Sequence, residues 1–346
     1  MNESVEISVS ESPVKTNRTA LWRNIAFLLG GAVLLFMIYT IGIDQIWANV
    51  RQTGWWFLAI IGVWGVVYLI NTIAWYAIIH EDESVRIPFY RVMQFTVSGY
   101  ALNYVTPMGL AGGEPYRIME LRRYMPTEKA TASVILYAMM HVCSHFFFWL
   151  SAAVLVAWYL PVVPTALSIA LTVMASVSIA LIFLFFKGYR EGLVVKLFKI
   201  LGKLPLVGKK VRNLKPETQE KLILIDTQIR SLRGKRKKAF YFSLGMEFLA
   251  RVVSCLEILF ILLALGQQAI YLDAFIVVAL SSLFANILFF SPMQMGTREG
   301  GIFLAFKTLG ITPGLSVSVS MITRIRELFW IMMGILIMKL NFHNKE

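Results

Sequence analysis

The longest uncharged stretch of the chain constrains its fold more than any other feature. No Asp, Glu, Lys or Arg occurs between Lys129 and Lys187. A helix needs about 20 apolar residues to cross the hydrocarbon core of a bilayer. The stretch is therefore long enough for two spans, with a break at Pro161 and Pro164. It excludes an ordinary soluble domain and predicts a membrane protein.

The rest of the composition extends this prediction to the whole chain, which is 58% hydrophobic and only 15% charged. Two more uncharged runs, residues 25–43 and 54–79, predict the first two helices. Residues 1–24 do not begin with the positive charge of a secretory signal, so we expect a cytoplasmic tail followed by a retained helix. The predicted fold class is an all-α integral membrane protein, a polytopic helical bundle.

Positive charge is concentrated in residues 187–238, which contain 16 Lys/Arg against 4 Asp/Glu. Cytoplasmic loops carry an excess of Lys and Arg, so this loop is predicted to be cytoplasmic and to separate two membrane halves, residues 25–186 and 239–338. The positive charge of this loop also favours the binding of anionic lipid head groups, which are therefore expected partners. Nothing in the loop resembles a nucleic-acid-binding fold, and we expect no nucleic acid partner.

With this loop inside, counting the spans places residues 80–91, residues 117–129 and the tail 339–346 in the cytoplasm. The segment 92–116 must then begin and end on the same side, and it is too short for two spans. It contains NYVTPMGLAGGEPYR at 103–117, whose glycines and prolines break a helix. We predict a re-entrant hairpin whose tip faces protein or water, because unpaired backbone groups are costly in hydrocarbon.

A second stretch, NILFFSPMQMGTREGG at 286–301, repeats the Pro-Met-x5-Glu pattern of the first 185 residues later. Residues 274–310 are therefore predicted to form a second hairpin, entering from the opposite side. Two full spans, 274–290 and 297–310, stay open as an alternative. Inverted repeats with broken helices are the architecture of many secondary transporters. The predicted break residues are Asn103, Pro107, Gly112, Gly113, Asn286, Pro292 and Gly296.

Charged side chains inside predicted spans are candidate substrate-binding groups, because such charges are costly and mark transport pathways. Glu114 and Arg117 are three residues apart and share a helix face, and Arg298 with Glu299 forms a matching pair. Arginine offers two parallel donors to a phosphate group. The predicted lipid-binding residues are Glu114, Arg117, Arg298, Glu299, Arg324, Arg326 and Glu327.

Other polar residues of the spans predict packing rather than catalysis. Glu247 and Arg251, four residues apart, predict an intramembrane ion pair. His141 and His145 are also four apart, which suits metal ligands, polar packing or a proton relay; no carboxylate follows at a suitable spacing, and we expect no metal. The two cysteines are expected to pack in the core. No nucleotide-binding or nucleophile motif is present, so we expect no cofactor and no catalytic residues.

At its motifs the chain resembles the transmembrane flippase region of the lysylphosphatidylglycerol synthase (multiple peptide resistance) proteins and their stand-alone relatives. The resemblance covers essentially the whole chain. It rests on TPMGLAGGEPYRIMELRR at 106–123, SPMQMGTREGG at 291–301 and ITRIREL at 322–328. It implies a bacterial inner-membrane protein that moves a phospholipid or another anionic or aminoacylated lipid across the bilayer.

The resemblance also sets the alternatives. The synthases carry a soluble aminoacyl-transferase domain, whereas this chain ends at NFHNKE, so we expect no synthase activity. One alternative is an integral-membrane lipid-modifying enzyme with Glu114 or Glu299 as general base. Another is a membrane scaffold for a separate lipid synthase. Membrane phospholipids are the expected partners, and a homodimer is left open.

Overall fold

The structure is a computed structural model that describes residues 42–80, 85–105, 112–159, 165–191, 237–287 and 296–343, with isolated positions at 35, 39, 224, 226 and 227. These residues form ten helices and no strand, which confirms the predicted all-α bundle. The helices are α1 (Ile43–Thr53), α2 (Trp56–Ile79), α3 (Phe89–Val105), α4 (Gly113–Leu121), α5 (Thr127–Tyr159), α6 (Thr165–Glu191), α7 (Lys237–Ala264), α8 (Tyr271–Ile287), α9 (Thr297–Leu309) and α10 (Leu315–His343).

The long uncharged stretch forms α5 and α6, as its length predicted. Helix α1 was not predicted, and it is set off by Gly42 and Gly54, which have positive φ angles of 84° and 55°. The predicted first helix and most of the basic loop fall outside the described residues, as do the break prolines Pro107 and Pro292.

The bundle combines an apolar surface with buried charge. Some large apolar side chains point outward, with Val154 64% and Phe183 66% exposed, whereas Arg117, Glu247 and Arg326 are buried. Of the described helices, α2 and α5 are long and apolar enough to cross a bilayer. Helices α7 and α10 are longer than α2, but both contain charged residues that face the interior. An apolar exterior around a charged interior suits a membrane protein.

Two apolar cores lie at opposite ends of the bundle. One gathers the end of α2 and the starts of α5 and α7, and Val92 of α3 and Leu121 of α4 belong to it. The other gathers the ends of α5 and α7, together with Phe275 of α8 and Phe306 of α9. The outer ends of the short pair α3–α4 therefore lie at one end of the bundle, and those of α8–α9 lie at the other.

The two halves also match in the order and packing of their helices. Shifted by 185 residues, α3 falls on 274–290 against the observed 271–287, and α5 falls on 312–344 against 315–343. Contacts in the first half have counterparts in the second: α2–α3 with α7–α8, α3–α4 with α8–α9, α4–α5 with α9–α10, and α3–α10 with α8–α5. Helices α2 and α7, which correspond to each other, pack together along the centre.

Helices α8 and α9 approach so closely that a side chain at one glycine would collide with the facing backbone. A Cβ on Gly301 would lie 2.6 Å from the Cα of Ser281, whereas the same atom on Gly300 would meet nothing within 4 Å. With the offset of 185, Gly301 corresponds to Tyr116 and Ser281 corresponds to Thr96. In the first pair the residue after Tyr116, Arg117, donates to the Thr96 carbonyl at 3.4 Å. Both helix pairs therefore close in nearly the same register.

This contact predicts different effects for two adjacent substitutions. We expect Gly301→Ala to destabilise the protein by about 1–3 kcal/mol, the usual cost of overpacking. Gly300→Ala is the matched control and should be neutral or slightly stabilising, because alanine favours a helix over glycine. Thermal unfolding of the two purified variants in detergent tests this. Equal melting temperatures for both would show that α8 and α9 are not in close contact.

Candidate functional site

Asn103 joins the two helices of the first short pair. Its Oδ1 accepts a hydrogen bond from the Gly113 backbone N–H at 2.8 Å, and its Nδ2 donates to Glu114 Oε1 at 3.1 Å. A Cβ on Gly113 would lie 2.2 Å from the Gly99 carbonyl oxygen, so only glycine allows α4 to begin against α3. The break residues Asn103 and Gly113 thus also position a candidate site residue, Glu114.

Arg117 lies beneath this junction, with only 2% of its side chain exposed. Its Nη1 is 3.4 Å from Glu114 Oε1, which confirms that the two residues share a face. The guanidinium also faces the rings of Tyr100 at 4.7 Å, Tyr137 at 5.3 Å and Trp75 at 5.6 Å. Helix α4 continues past Arg117 to Leu121, so this arginine is buried inside the bundle at the start of the segment 117–129.

Glu247 and Arg251, the predicted intramembrane ion pair, attract each other, and their hydrogen bonds go to α5. Glu247 Oε2 is 2.7 Å from His141 Nδ1. Arg251 donates to Ser144 Oγ and to the His141 carbonyl, both at 2.6 Å. The two α7 side chains therefore fix the position of His141 from both sides.

Arg298 and Glu299 likewise do not pair with each other, because each reaches across to α10. Arg298 pairs with Glu327. Glu299 Oε1 accepts from Arg324 Nη2 at 2.5 Å and from Ser320 Oγ at 2.8 Å. Consecutive side chains of a helix point in different directions, so the sequence spacing could not reveal the partners of Arg298 and Glu299 on α10. The result is a pair of crossed ion pairs that ties α9 to α10.

Arg326 forms the most buried ion pair, with a residue that the sequence analysis missed. Its Nε and Nη2 donate to the two carboxylate oxygens of Glu257 at 2.8 and 3.1 Å. Its guanidinium lies 3.8 Å from the centre of the Trp64 ring, and the Trp64 indole N–H also donates to Glu257 at 2.7 Å. Glu257 could have been identified from the sequence, because it is the single charged residue in the run 252–272.

Aromatic side chains connect the arginines of the two halves. Ring centroids lie 5.7 Å apart for Trp64 and Tyr68, and 5.4 Å apart for Tyr68 and Tyr100. Arg326 stacks on the first of these rings and Arg117 on the last. Tyr104, next to Asn103, lies in the electrostatic environment of Arg298, Arg326 and Glu327. The ends of both short pairs therefore meet near the middle of α10.

The two glutamates of the repeated motif share an unusual bonding pattern. Glu114 and Glu299 each accept hydrogen bonds from described residues through Oε1. The Oε2 atom of each is buried and has no hydrogen-bond partner among the described residues. A buried carboxylate oxygen without a donor is costly, so each motif carboxylate has capacity for one more donor.

The remaining predicted residues have smaller roles. Gly112 and Gly296 immediately precede α4 and α9, and Gly296 has a positive φ of 79°. Asn286 lies inside α8, one residue before its end, and bonds to the Ser282 carbonyl of its own helix. Cys143 and Cys255 are buried and free, as predicted. In the described part of the chain, no group of three His, Cys, Asp or Glu residues is placed to hold a metal ion.

Comparison with known proteins identifies one family. The family model described as "Lysylphosphatidylglycerol synthase TM region" matches residues 24–335. No curated protein and no solved structure matches the chain.

Proposed function

Because the chain belongs to the family of lysylphosphatidylglycerol synthase transmembrane regions, we propose that it is a multi-pass protein of the bacterial inner membrane that moves lipids between leaflets. The substrate is a phospholipid or another anionic or aminoacylated lipid. Its head group passes along the interior ion pairs, while its acyl chains stay in the bilayer against the apolar outer face of the bundle.

The main support for this proposal is that Arg298 and Arg324 are already bound to carboxylates. Arg324 is bonded to Glu299, and Arg298 is paired with Glu327. A lipid phosphate has the same charge and similar acceptor geometry as a carboxylate. It can therefore replace Glu299 on Arg324 without leaving the arginine unpaired. The internal carboxylate acts as a substitute ligand that keeps the site neutral when no lipid is bound.

A displaced glutamate favours a head group that carries both signs of charge. Glu299 is 27% exposed and has a spare carboxylate oxygen, so it can accept from a substrate ammonium once the phosphate occupies Arg324. An aminoacylated phospholipid supplies both groups. A simple anionic phospholipid would instead leave Glu299 to bind another cation.

The arrangement of the helices supports a mechanism of alternating access. The outer ends of the helix pairs α3–α4 and α8–α9 lie at opposite ends of the bundle, and their inner ends meet near α10. This is expected for inverted repeats around a central site. The first residues of α4 and α9 lie at these inner ends, where helix N-termini add partial positive charge. Helices α8 and α9 have 17 and 13 residues, fewer than the about 20 of a full span, which favours a hairpin over two spans.

Native mass spectrometry of the purified protein with phosphatidylglycerol tests the proposal. We expect the wild type to retain the lipid, and Arg324→Gln to lose most of this binding. Lys307→Gln is the matched control, because Lys307 is an exposed cation on α9 and its loss should leave binding unchanged. Equal retention by both variants would contradict the proposed site. Recovery of chemically modified lipid would favour the enzyme, and no retained lipid in any form would favour the scaffold.

The proposed orientation predicts the accessibility of two loops. The basic loop belongs in the cytoplasm, and the turn between α7 and α8 belongs outside. In intact cells, an impermeant thiol reagent should label a cysteine placed at Gln268 and should not label one placed at Lys209 until the membrane is opened. Labelling at Lys209 in intact cells would overturn this topology.

A further inference from the structure

We propose that His141 and Glu247 form a proton-binding site, and that one proton is taken up with each lipid head group. This inference rests on the proposed function for its transport step, but the proton site stands on its own geometry. The two side chains face each other from α5 and α7 at 2.7 Å. Neither residue belongs to the repeated motifs, and the candidate lipid site does not need them.

The distance between His141 Nδ1 and Glu247 Oε2 fits a hydrogen bond with either atom as donor. We assign the hydrogen to His141 Nδ1, so that the Glu247 carboxylate accepts it. The other ring nitrogen, Nε2, makes no hydrogen bond among the described residues, and the side chain is 31% exposed. Nε2 is thus the ring position left open for a proton. The product is an imidazolium bonded to the Glu247 carboxylate, and no other bond forms or breaks.

Glu247 is prepared for this role by its surroundings. It is 1% exposed, and its Oε1 has no hydrogen-bond partner in the described part of the chain. Its direct hydrogen-bond partner is His141, and Arg251 is the nearby cation on the same helix. Protonation of His141 turns the hydrogen bond into an ion pair, so Glu247 favours the protonated form, whereas burial and the charge of Arg251 oppose it.

Charged and titratable groups surround the pair on all the described helices that face it. Arg251 contacts His141 from α7, Arg117 lies towards it from α4, and Tyr100 Oη is 3.2 Å from His141 Nδ1. Tyr137 and His145 lie on α5 itself, with Tyr137 Oη 3.0 Å from Tyr100 Oη. Tyr100 also lies under Arg117 at 4.7 Å. The proton site is therefore in direct electrostatic contact with the first motif, Glu114 and Arg117.

The charge balance of this cluster explains why proton and anion would bind together. Arg117 and Arg251 balance Glu114 and Glu247, so the cluster is neutral when His141 is neutral. One added proton leaves a single positive charge, which a phosphodiester with one negative charge restores to zero. Because linkage is reciprocal, a bound anionic lipid must also increase the affinity for the proton.

The second half has a fixed charge where the first half has a titratable one. The 185-residue offset places His141 on Arg326, and both residues bond to a glutamate of α7, Glu247 and Glu257 respectively. Arginine stays charged at any relevant pH. The same position of the repeat is thus a permanent cation in the second half and a titratable histidine in the first half.

The test measures proton uptake directly, with a pH-indicator dye in weakly buffered detergent solution as phosphatidylglycerol is added to the purified protein. We expect the wild type to take up close to one proton per chain, and His141→Gln and Glu247→Gln to take up none. His80→Gln is the matched histidine control, since His80 lies at the end of α2 and outside the cluster, and it should match the wild type. Phosphatidylcholine, which has no net charge, should cause no uptake.

A second variant guards against misfolding. His141→Arg copies the arrangement of the second half and should bind phosphatidylglycerol equally well at acid and alkaline pH, whereas we expect wild-type binding to be about tenfold tighter at acid pH. Wild type without proton uptake, or His141→Gln with normal uptake, would overturn the proton site. If the wild type moves lipid but takes up no proton, only this inference fails; if it takes up the proton but moves no lipid, only the transport proposal fails.

Discussion

We expect Arg326→Gln to lose about 3–5 kcal/mol of stability, the usual cost of removing one partner from a buried ion pair. The change leaves Glu257 buried with only the Trp64 indole N–H as a donor. It also removes the cation from the Trp64 ring, which lies 3.8 Å from the guanidinium. Arg326 connects α10 to α2 of the first half and to α7 of the second half. Its loss should therefore weaken the packing between the two halves. Thermal unfolding in detergent measures the loss.

Two further variants separate the ion pair from other effects. Arg326→Gln with Glu257→Gln removes both charges and should recover much of the stability, since no buried charge is left unpaired. Arg51→Gln is the matched control: Arg51 also faces a tryptophan ring, Trp47 at 5.7 Å, but it is exposed. It should change stability by less than about 1 kcal/mol. A single Arg326 variant as stable as wild type would show that this pair does not hold the halves together.

The second large effect is on activity, and we expect Arg298→Ala to reduce lipid movement to the background rate. Arg298 lies in the first turn of α9, and it is 22% exposed and paired with Glu327. Glu327 keeps a second partner, because Arg326 Nη2 lies 3.7 Å away. The variant should therefore still fold, while the phosphate loses one of its proposed donors. Lipid exchange in proteoliposomes is the measurement, with unfolding temperature recorded alongside.

Matched variants decide what the loss at Arg298 means. Arg298→Lys should restore part of the activity, because a point charge cannot make the planar two-donor contact with phosphate. Lys307→Ala removes a cation from the same helix at an exposed position and should move lipid normally. Normal transport by Arg298→Ala, in protein that is stably folded, would contradict a role for this arginine in carrying the head group.

The membrane architecture could largely be predicted from the sequence, because it depends on local composition. The uncharged run after Lys129 forms two long helices, and two shorter helices flank each copy of the repeated Pro-Met pattern. Helix α1 was missed because its boundary depends on the backbone conformations of Gly42 and Gly54. Positive-φ glycines cannot be distinguished in a sequence from glycines in any other conformation.

The membership of the site was easier to predict than its partners. All the charged residues singled out in α4, α9 and α10 lie in interior ion pairs. Only Glu114 and Arg117, which pair along one helix, could be matched from their spacing. Arg298, Glu299 and Arg251 bond to other helices, and those contacts depend on the rotation of each helix in the bundle. A local rule of three or four residues cannot supply that rotation.

Arg117 shows why counting charges does not reveal burial. It lies near Arg122 and Arg123, and charge counting treats every arginine alike. Arg117 is nevertheless buried against three aromatic rings and Glu114, whereas Arg122 and Arg123 are exposed.

The most direct measurement is of lipid movement by the purified protein alone. Proteoliposomes containing fluorescent phosphatidylglycerol are exposed to a membrane-impermeant quencher. The molecular mass of the recovered lipid is then measured by mass spectrometry. The account predicts that quenching exceeds the outer-leaflet fraction seen in protein-free liposomes, that the lipid mass is unchanged, and that Arg298→Ala returns quenching to the protein-free level. Quenching limited to the outer leaflet in wild-type proteoliposomes, with the protein folded and both orientations present, would contradict it.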